Sequence, residues 1–362
     1  MKVLIAGGGT GGHLFSGVAV AKELLKENDK HEITFVGTNK GIEARVIPQE
    51  GFKLRLITVA GLKRVGLFKT LLGLIKLPLA ALQSFWIVLS SWPDVAIGVG
   101  GYASGPLMLA AWFLRRPCII IEQNSYAGVT NKILGKFVKY VITHFSASQR
   151  FFAAEKIRQF GNPVRPEIVE RARKIEYTRS EPERLNILIT GGSQGAHAVN
   201  ETVKQALPLF EDFAEKIKIR HQCGVADESG LQKAYQDSKI EGQATAFIDD
   251  MLSAYDEADL IICRAGASTI AEISIAGKPA LFIPLPTAAD DHQTMNAKEL
   301  AEAKGAWLVK QSDFTPQYLA DFVKERIANP AELEAFAKLS KTLGRPDAAK
   351  DVVNLMHEMC GK

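Results

Sequence analysis

Two nine-residue segments, 184 positions apart, constrain this chain more than any other feature. Residues 5–13 read I-A-G-G-G-T-G-G-H and residues 189–197 read I-T-G-G-S-Q-G-A-H, identical at five of nine positions. The offset is close to half of the 362 residues. Each segment follows an apolar run and leads into a stretch of helical period, the pattern of a strand, a glycine turn and a helix. Apolar runs that suit buried parallel strands recur along both halves. In the first they are 3–6, 33–36, 54–59, 95–99, 118–121 and 140–143; in the second, 186–190, 217–222, 244–247, 260–263, 280–284 and 306–309. A βαβ rhythm repeated twice predicts two doubly wound α/β domains. The prolines of Gly161-Asn162-Pro163-Val164-Arg165-Pro166 forbid continuous helix and mark the boundary. The expected division is residues 1–162, 163–343 and a last amphipathic segment, 344–362, after Gly344-Arg345-Pro346, returning to the first domain.

Composition narrows the class. At 47% hydrophobic and 23% charged, the chain has material for sizeable cores and none of the bias of a disordered one. Four scattered cysteines, with no C-x-x-C, argue for a reducing compartment and against a disulfide framework or zinc site. The start, MKVLIAGGGTGG, is too short in apolar residues for a signal peptide and reads as a buried strand. Charge is unequally divided. Residues 1–163 hold 20 Lys/Arg and 9 Asp/Glu, a balance of +11, and the remainder holds 24 and 31, a balance of −7. The basic half is suited to an anionic partner, and nucleic acid or an anionic membrane surface both qualify.

A glycine turn at a helix start points backbone N–H groups and the positive helix end at an anion. Gly7-x-Gly9-x-x-Gly12 formally matches the dinucleotide fingerprint, but Val36-Gly37-Thr38 stands where the ribose-binding acid belongs, which disfavours a nicotinamide enzyme. Neither loop continues into G-K-[ST], which disfavours a P-loop NTPase. Either loop taken singly also reads as a plain turn. His13 lies in the first turn of its helix, where the dipole favours the neutral ring that can accept a proton. His197 shares that position and also reads as a packed copy.

Further motifs make the reading specific. They are Gly8-Gly9-Thr10-Gly11-Gly12-His13, Gly100-Gly101-Tyr102-Ala103-Ser104-Gly105-Pro106, Glu122-Gln123-Asn124, Ala127-Gly128-Val129-Thr130-Asn131-Lys132 and Gly161-Asn162-Pro163-Val164-Arg165. The second half adds Gly191-Gly192-Ser193-Gln194-Gly195-Ala196, Phe247-Ile248-Asp249-Asp250-Met251, the run from Arg264 to Glu272, and Asp291-His292-Gln293-Thr294-Met295-Asn296-Ala297. In this order the chain resembles, almost end to end, the MurG family, which adds N-acetylglucosamine to lipid I in peptidoglycan synthesis. One departure is Ser16, where the family usually has proline. The resemblance implies a GT-B fold of two Rossmann-like domains facing across a cleft, with the nucleotide sugar mainly on the second and the acceptor mainly on the first.

The resemblance also implies roles. Ala267, Ser268, Thr269, Ile270, Ala271 and Glu272 bind the nucleotide of UDP-GlcNAc, and the Glu272 carboxylate, with two acceptors, suits the ribose diol. The bland alternative for Glu272 is a solvated helix glutamate. Ser193 is expected near the diphosphate and Ile248 at the uracil. Gln293 and Asn124 hold the sugar, with Arg165, Thr10, Gly11 and Gly12 as further donor contacts; the amides could equally satisfy loop backbone. His13 is the candidate base, the alternative being a loop-shaping or acceptor-diphosphate-binding histidine. Asp249-Asp250 invites a metal reading, but adjacent carboxylates diverge and N-capping is simpler, so no metal and no cofactor is expected. The implied partners are UDP-GlcNAc, the lipid I acceptor and an anionic membrane surface, with cell-wall synthesis or division proteins as candidates and no nucleic acid. In residues 63–92, Leu67, Phe68, Lys69, Leu71, Leu72, Ile75 and Lys76 set apolar residues among cations, as a surface dipping into an anionic leaflet would. A buried helix is the competing reading and suits part of residues 79–89. The expected location is the cytoplasmic face of the bacterial inner membrane, peripherally bound. The rivals are a non-catalytic nucleotide-binding scaffold and a related transferase with another acceptor.

Overall fold

A computed structural model describes residues 1–39, 41–59, 66–174, 176–179, 181, 183–192 and 195–361, with residues 66–76 described by backbone alone. The chain divides into two compact units, Met1–Pro166 with Arg345–Lys362, and Glu167–Gly344.

The first unit carries β1 (Lys2–Ala6), β2 (Glu32–Gly37), β3 (Lys53–Leu56), β4 (Val95–Gly98), β5 (Cys118–Glu122), β6 (Tyr140–Thr143) and β7 (Ile157–Arg158). They pair in parallel in the order β3-β2-β1-β4-β5-β6-β7. The central strands are buried along their whole length, which is why they read as continuous apolar runs. Around them lie α1 (Gly11–Glu27), α2 (Glu43–Gln49), α3 (Gly66–Ser91), α4 (Ser104–Phe113) and α5 (Val129–Leu134).

The second unit repeats the plan with β8 (Leu185–Thr190), β9 (Ile217–Gln222), β10 (Glu241–Thr245), β11 (Leu260–Cys263), β12 (Ala280–Phe282) and β13 (Trp307–Leu308), parallel in the order β10-β9-β8-β11-β12-β13. Its helices are α6 (Pro166–Ala172), α7 (His197–Ala206), α8 (Glu228–Asp237), α9 (Met251–Glu257), α10 (Ala267–Ala276), α11 (His292–Glu302), α12 (Pro316–Ala328) and α13 (Pro330–Leu343). The last helix, α14 (Ala348–Cys360), lays Val352, Val353 and Met356 into the first unit's core beside Leu14, Val18 and Leu24 of α1.

Two details depart from the sequence expectation. The strand expected at 244–247 is β10, displaced toward the N-terminus; its E-G-Q-A-T sequence lies at a sheet edge with little apolar signal. The two-residue β7 was too short to register as a run. In both sheets the order reverses beside the first strand, between β1 and β4 and between β8 and β11, and each glycine segment leaves the sheet there. In open α/β sheets that crevice is where ligands bind.

Candidate functional site

In the first unit the loop after β1 is held from below by a buried carboxylate that sequence reading missed. Glu43 accepts hydrogen bonds from the Gly9 N–H, the Thr38 N–H and the Thr38 hydroxyl, each at 2.9 Å. Helix α1 then starts at Gly11, with Thr10 as its extended N-cap residue. His13 is half-buried, and its Nδ1 lies 3.0 Å from the Thr10 Oγ1. The loop after β4 closes over it. Gly100 has φ +96°, and a Cβ there would stand 2.8 Å from the His13 ring; at Gly101, φ +81°, it would stand 2.4 Å from the Gly8 carbonyl oxygen. The glycines of the Gly100-Gly101 motif thus make room for the histidine of the other. Ser104 ties the two together, donating to the Ala6 carbonyl at 2.7 Å and accepting the Gly100 N–H at 3.1 Å.

The loop after β5 is built around Glu122, which is buried and accepts the Asn124 N–H, the Gly128 N–H and the Asn131 Nδ2 amide at 2.9–3.0 Å. Burial raises its pKa, and these hydrogen bonds pull the other way. The Asn124 side chain also bonds Glu122. Near the boundary turn, Ser16 is buried, its hydroxyl 2.6 Å from the Asn162 Oδ1 and 3.0 Å from the Gly12 carbonyl. The position that departs from the family's proline therefore bonds the boundary turn as well as its own helix. The Asn162 N–H donates to His144 Nδ1 at 3.2 Å, and burial lowers the pKa of that ring to about 4, leaving it neutral. Arg165 sits in the first unit, its guanidinium 5.5 Å from the Phe15 ring of α1.

In the second unit the corresponding loop rises from β8, with Gly192 and Gly195 at φ +79° and +73°. Ser193 and Gln194 lie outside the described residues. His197 does not repeat His13, nor is it packed. Its side chain is 74% exposed, and Nδ1 meets the Asp227 carboxylate at 2.9 Å. Behind that pair, Asn200 donates to Asp227 at 2.6 Å and to the Cys223 carbonyl at 2.8 Å. Buried His221 meets the Asn200 Oδ1 at 3.0 Å, and burial lowers its pKa to about 3. Asn200 and Asp227 carried no sequence signal of their own.

The adjacent loop after β11 leads into α10. Gly266 is the extended N-cap residue, Ala267, Ile270 and Ala271 are buried, and Ser268 and Thr269 are half-buried. Glu272 is half-buried and accepts the Tyr255 hydroxyl at 3.0 Å, which sets aside the solvated-glutamate alternative. Arg264 is turned inward to the carbonyls of Ile283 and Pro284, at 3.0 and 3.1 Å. That braces the loop in which Gln293 accepts the Leu285 N–H at 3.0 Å. Ile248 is buried, and its neighbour Phe247 stands 56% exposed. Asp250 caps α9, accepting the Ser253 N–H at 3.0 Å. A cavity of about 450 Å³ lies elsewhere in this unit, beside Lys218, Arg220, Glu241 and Glu257, whose charges pair with one another.

The side chains of Leu67, Phe68, Lys69, Leu71, Leu72, Ile75 and Lys76 lie outside the described residues. Farther along α3 the helix is two-faced. Ala80, Ser84, Ile87 and Val88 are buried, and Leu79, Leu82, Trp86 and Leu89 are exposed. The buried-helix reading of 79–89 thus holds for one face. Trp112 and Phe113 of α4 are exposed too, with Phe113 packed against Phe85 of α3. Among the described residues no helix is long and apolar enough to cross a membrane.

The chain is similar to known proteins along nearly its whole length. The N-terminal domain of glycosyltransferase family 28 matches residues 3–143, and the C-terminal domain of that family matches residues 186–352. A UDP-N-acetylglucosamine–N-acetylmuramyl-(pentapeptide) pyrophosphoryl-undecaprenol N-acetylglucosamine transferase from Anaeromyxobacter sp. (strain K) is 44% identical over 360 residues, 99% of this chain and 93% of its own. The protein of that name from Myxococcus xanthus is 43% identical over 357 residues, 98% and 92% of the two chains. The crystal structure of Acinetobacter baumannii MurG superposes with a TM-score of 0.80 at 34% identity, covering 99% of each chain. Two doubly wound units of GT-B type, with both family domains in order and relatives matched end to end, place the chain in glycosyltransferase family 28, and within it the chain belongs to the MurG family.

Proposed function

We propose that this protein transfers N-acetylglucosamine from UDP-GlcNAc to the C4 hydroxyl of the N-acetylmuramoyl group of lipid I, releasing UDP and forming lipid II. The observation that carries this is the 44% identity, over 99% of the chain, to a transferase named for that reaction. The transfer is inverting: the acceptor oxygen bonds to the anomeric carbon as the bond to the diphosphate breaks, and an α-linked donor gives a β-1,4 product. His13 takes the acceptor proton. Its ring is held by the Thr10 hydroxyl and the space at Gly100, an arrangement suited to a base aimed at one oxygen. The departing diphosphate gains negative charge, which the N–H groups of the second glycine loop and the start of α10 stabilise, with Ser193 as a further donor. Glu272 accepts from the ribose, oriented by Tyr255. Ile248 reads the uracil, and Gln293, Asn124 and Arg165 act on the sugar side.

The same reading holds the protein peripherally at the cytoplasmic face of the inner membrane. The exposed Leu79, Leu82, Trp86, Trp112 and Phe113 form an apolar surface on a unit rich in cations, suited to an anionic leaflet. Turnover tests the whole proposal. UDP-GlcNAc and lipid I in anionic vesicles should give UDP and a β-1,4-linked disaccharide product, faster than in neutral vesicles. Transfer only to a different glycolipid, or no transfer, would overturn the assignment.

A further inference from the structure

We infer that Glu43 is a positioning residue: its buried carboxylate holds the first glycine loop from inside the protein at the Gly9 N–H, and so fixes the start of α1 and His13. The inference rests on the reading of His13 as the base. Glu43 is 1% exposed, yet its two oxygens accept three hydrogen bonds, one of them from the backbone of the loop itself. Three glycines, one in the first loop and two between the end of β2 and the start of α2, clear space for it. A Cβ at Gly8, Gly37 or Gly41 would stand 2.3, 2.5 or 2.0 Å from atoms of the Glu43 side chain. That accounts for the acid missing after β2. In a dinucleotide enzyme a carboxylate there faces a ribose; here a carboxylate from α2 reaches the same place and bonds Thr38, the residue just past β2, and Gly9. Because Gly8 is pressed against Gly101, and Gly100 against the ring of His13, a loop fixed at Gly9 carries its register directly to the base.

The test uses the full chain with Glu43→Gln, Gly37→Ala and His13→Ala. Glutamine keeps the shape, but with its oxygen on the two Thr38 donors it sets an amide N–H against the Gly9 N–H, so the Gly9 tie is the one lost. Gly37→Ala displaces the same carboxylate from behind and serves if the first variant folds poorly. Amide hydrogen exchange over residues 9–14 should quicken by about tenfold or more in both variants, with residues 186–190 of the second unit unchanged. The kcat should fall by about tenfold or more, and the KM for UDP-GlcNAc should stay within about twofold, a split that general destabilisation does not produce. Exchange and kcat both within about twofold of the parent in Glu43→Gln would overturn the inference. If His13→Ala stays active while Glu43→Gln still quickens exchange, the base assignment fails and the clasp on the loop stands.

Discussion

The two glycine segments share sequence, position in their sheets and a terminal histidine, yet their surroundings differ. In the first, the loop rests on an internal carboxylate, and His13 is wedged between the Thr10 hydroxyl and the Gly100 backbone. In the second, a hydrogen-bonded chain of Asn200, Asp227 and His221 anchors α7 to the end of β9, and His197 is left largely in solvent. The repeat keeps the place of the turn in the sheet but not its detail: α1 begins at Gly11, two residues before His13, whereas α7 begins at His197 itself. Among the described residues, a glycine pair closes on the histidine in the first unit, where Gly100 abuts the His13 ring, and His197 has no such cover.

The sharpest way to break the comparison is to remove His13. His13→Ala should lower single-turnover rates by roughly 10²–10⁴-fold while leaving UDP affinity unchanged, because a base acts on the reacting proton and not on the nucleotide. A fall of less than about tenfold would reassign the ring to loop shaping or acceptor binding. Glu272→Ala should show the opposite signature, weakening UDP binding by roughly 1.5–3 kcal/mol through loss of a charged acceptor for the ribose hydroxyls. Calorimetry on the folded variant checks this, and unchanged affinity would remove Glu272 from the donor site.

Much of this was legible in the sequence, for identifiable reasons. Fully buried strands such as β4 and β5 write themselves as apolar runs, and the glycine turns mark where the chain leaves each sheet. The edge strand β10 has no such run and was displaced in the reading. At the site, residue types were readable but their partners were not. Glu43 lies 34 positions from Gly9, and Tyr255 lies 17 from Glu272; nothing local signals either pairing. The available hint was an absence, the missing acid after β2, and only the fold shows which carboxylate takes its place. The exposed apolar face of α3 was likewise hidden, because Leu79, Leu82 and Trp86 look in sequence like core.

The smallest expected effect is the one that most sharpens the contrast between the loops. His197→Ala should change turnover by less than about threefold, because the ring is 74% exposed and its pair with Asp227 is of the kind worth about 0.2–1 kcal/mol. Asp227 does not depend on it for its place, since Asn200 donates to the same carboxylate at 2.6 Å and is itself fixed to the Cys223 carbonyl. Side-by-side kinetics of His13→Ala and His197→Ala therefore read the asymmetry directly. A loss for His197→Ala approaching that for His13→Ala, with UDP affinity retained, would mean that the second loop also carries the chemistry and that the two halves are functional as well as structural repeats. A loss confined to UDP affinity would instead place His197 beside the diphosphate and keep the first loop as the seat of proton transfer.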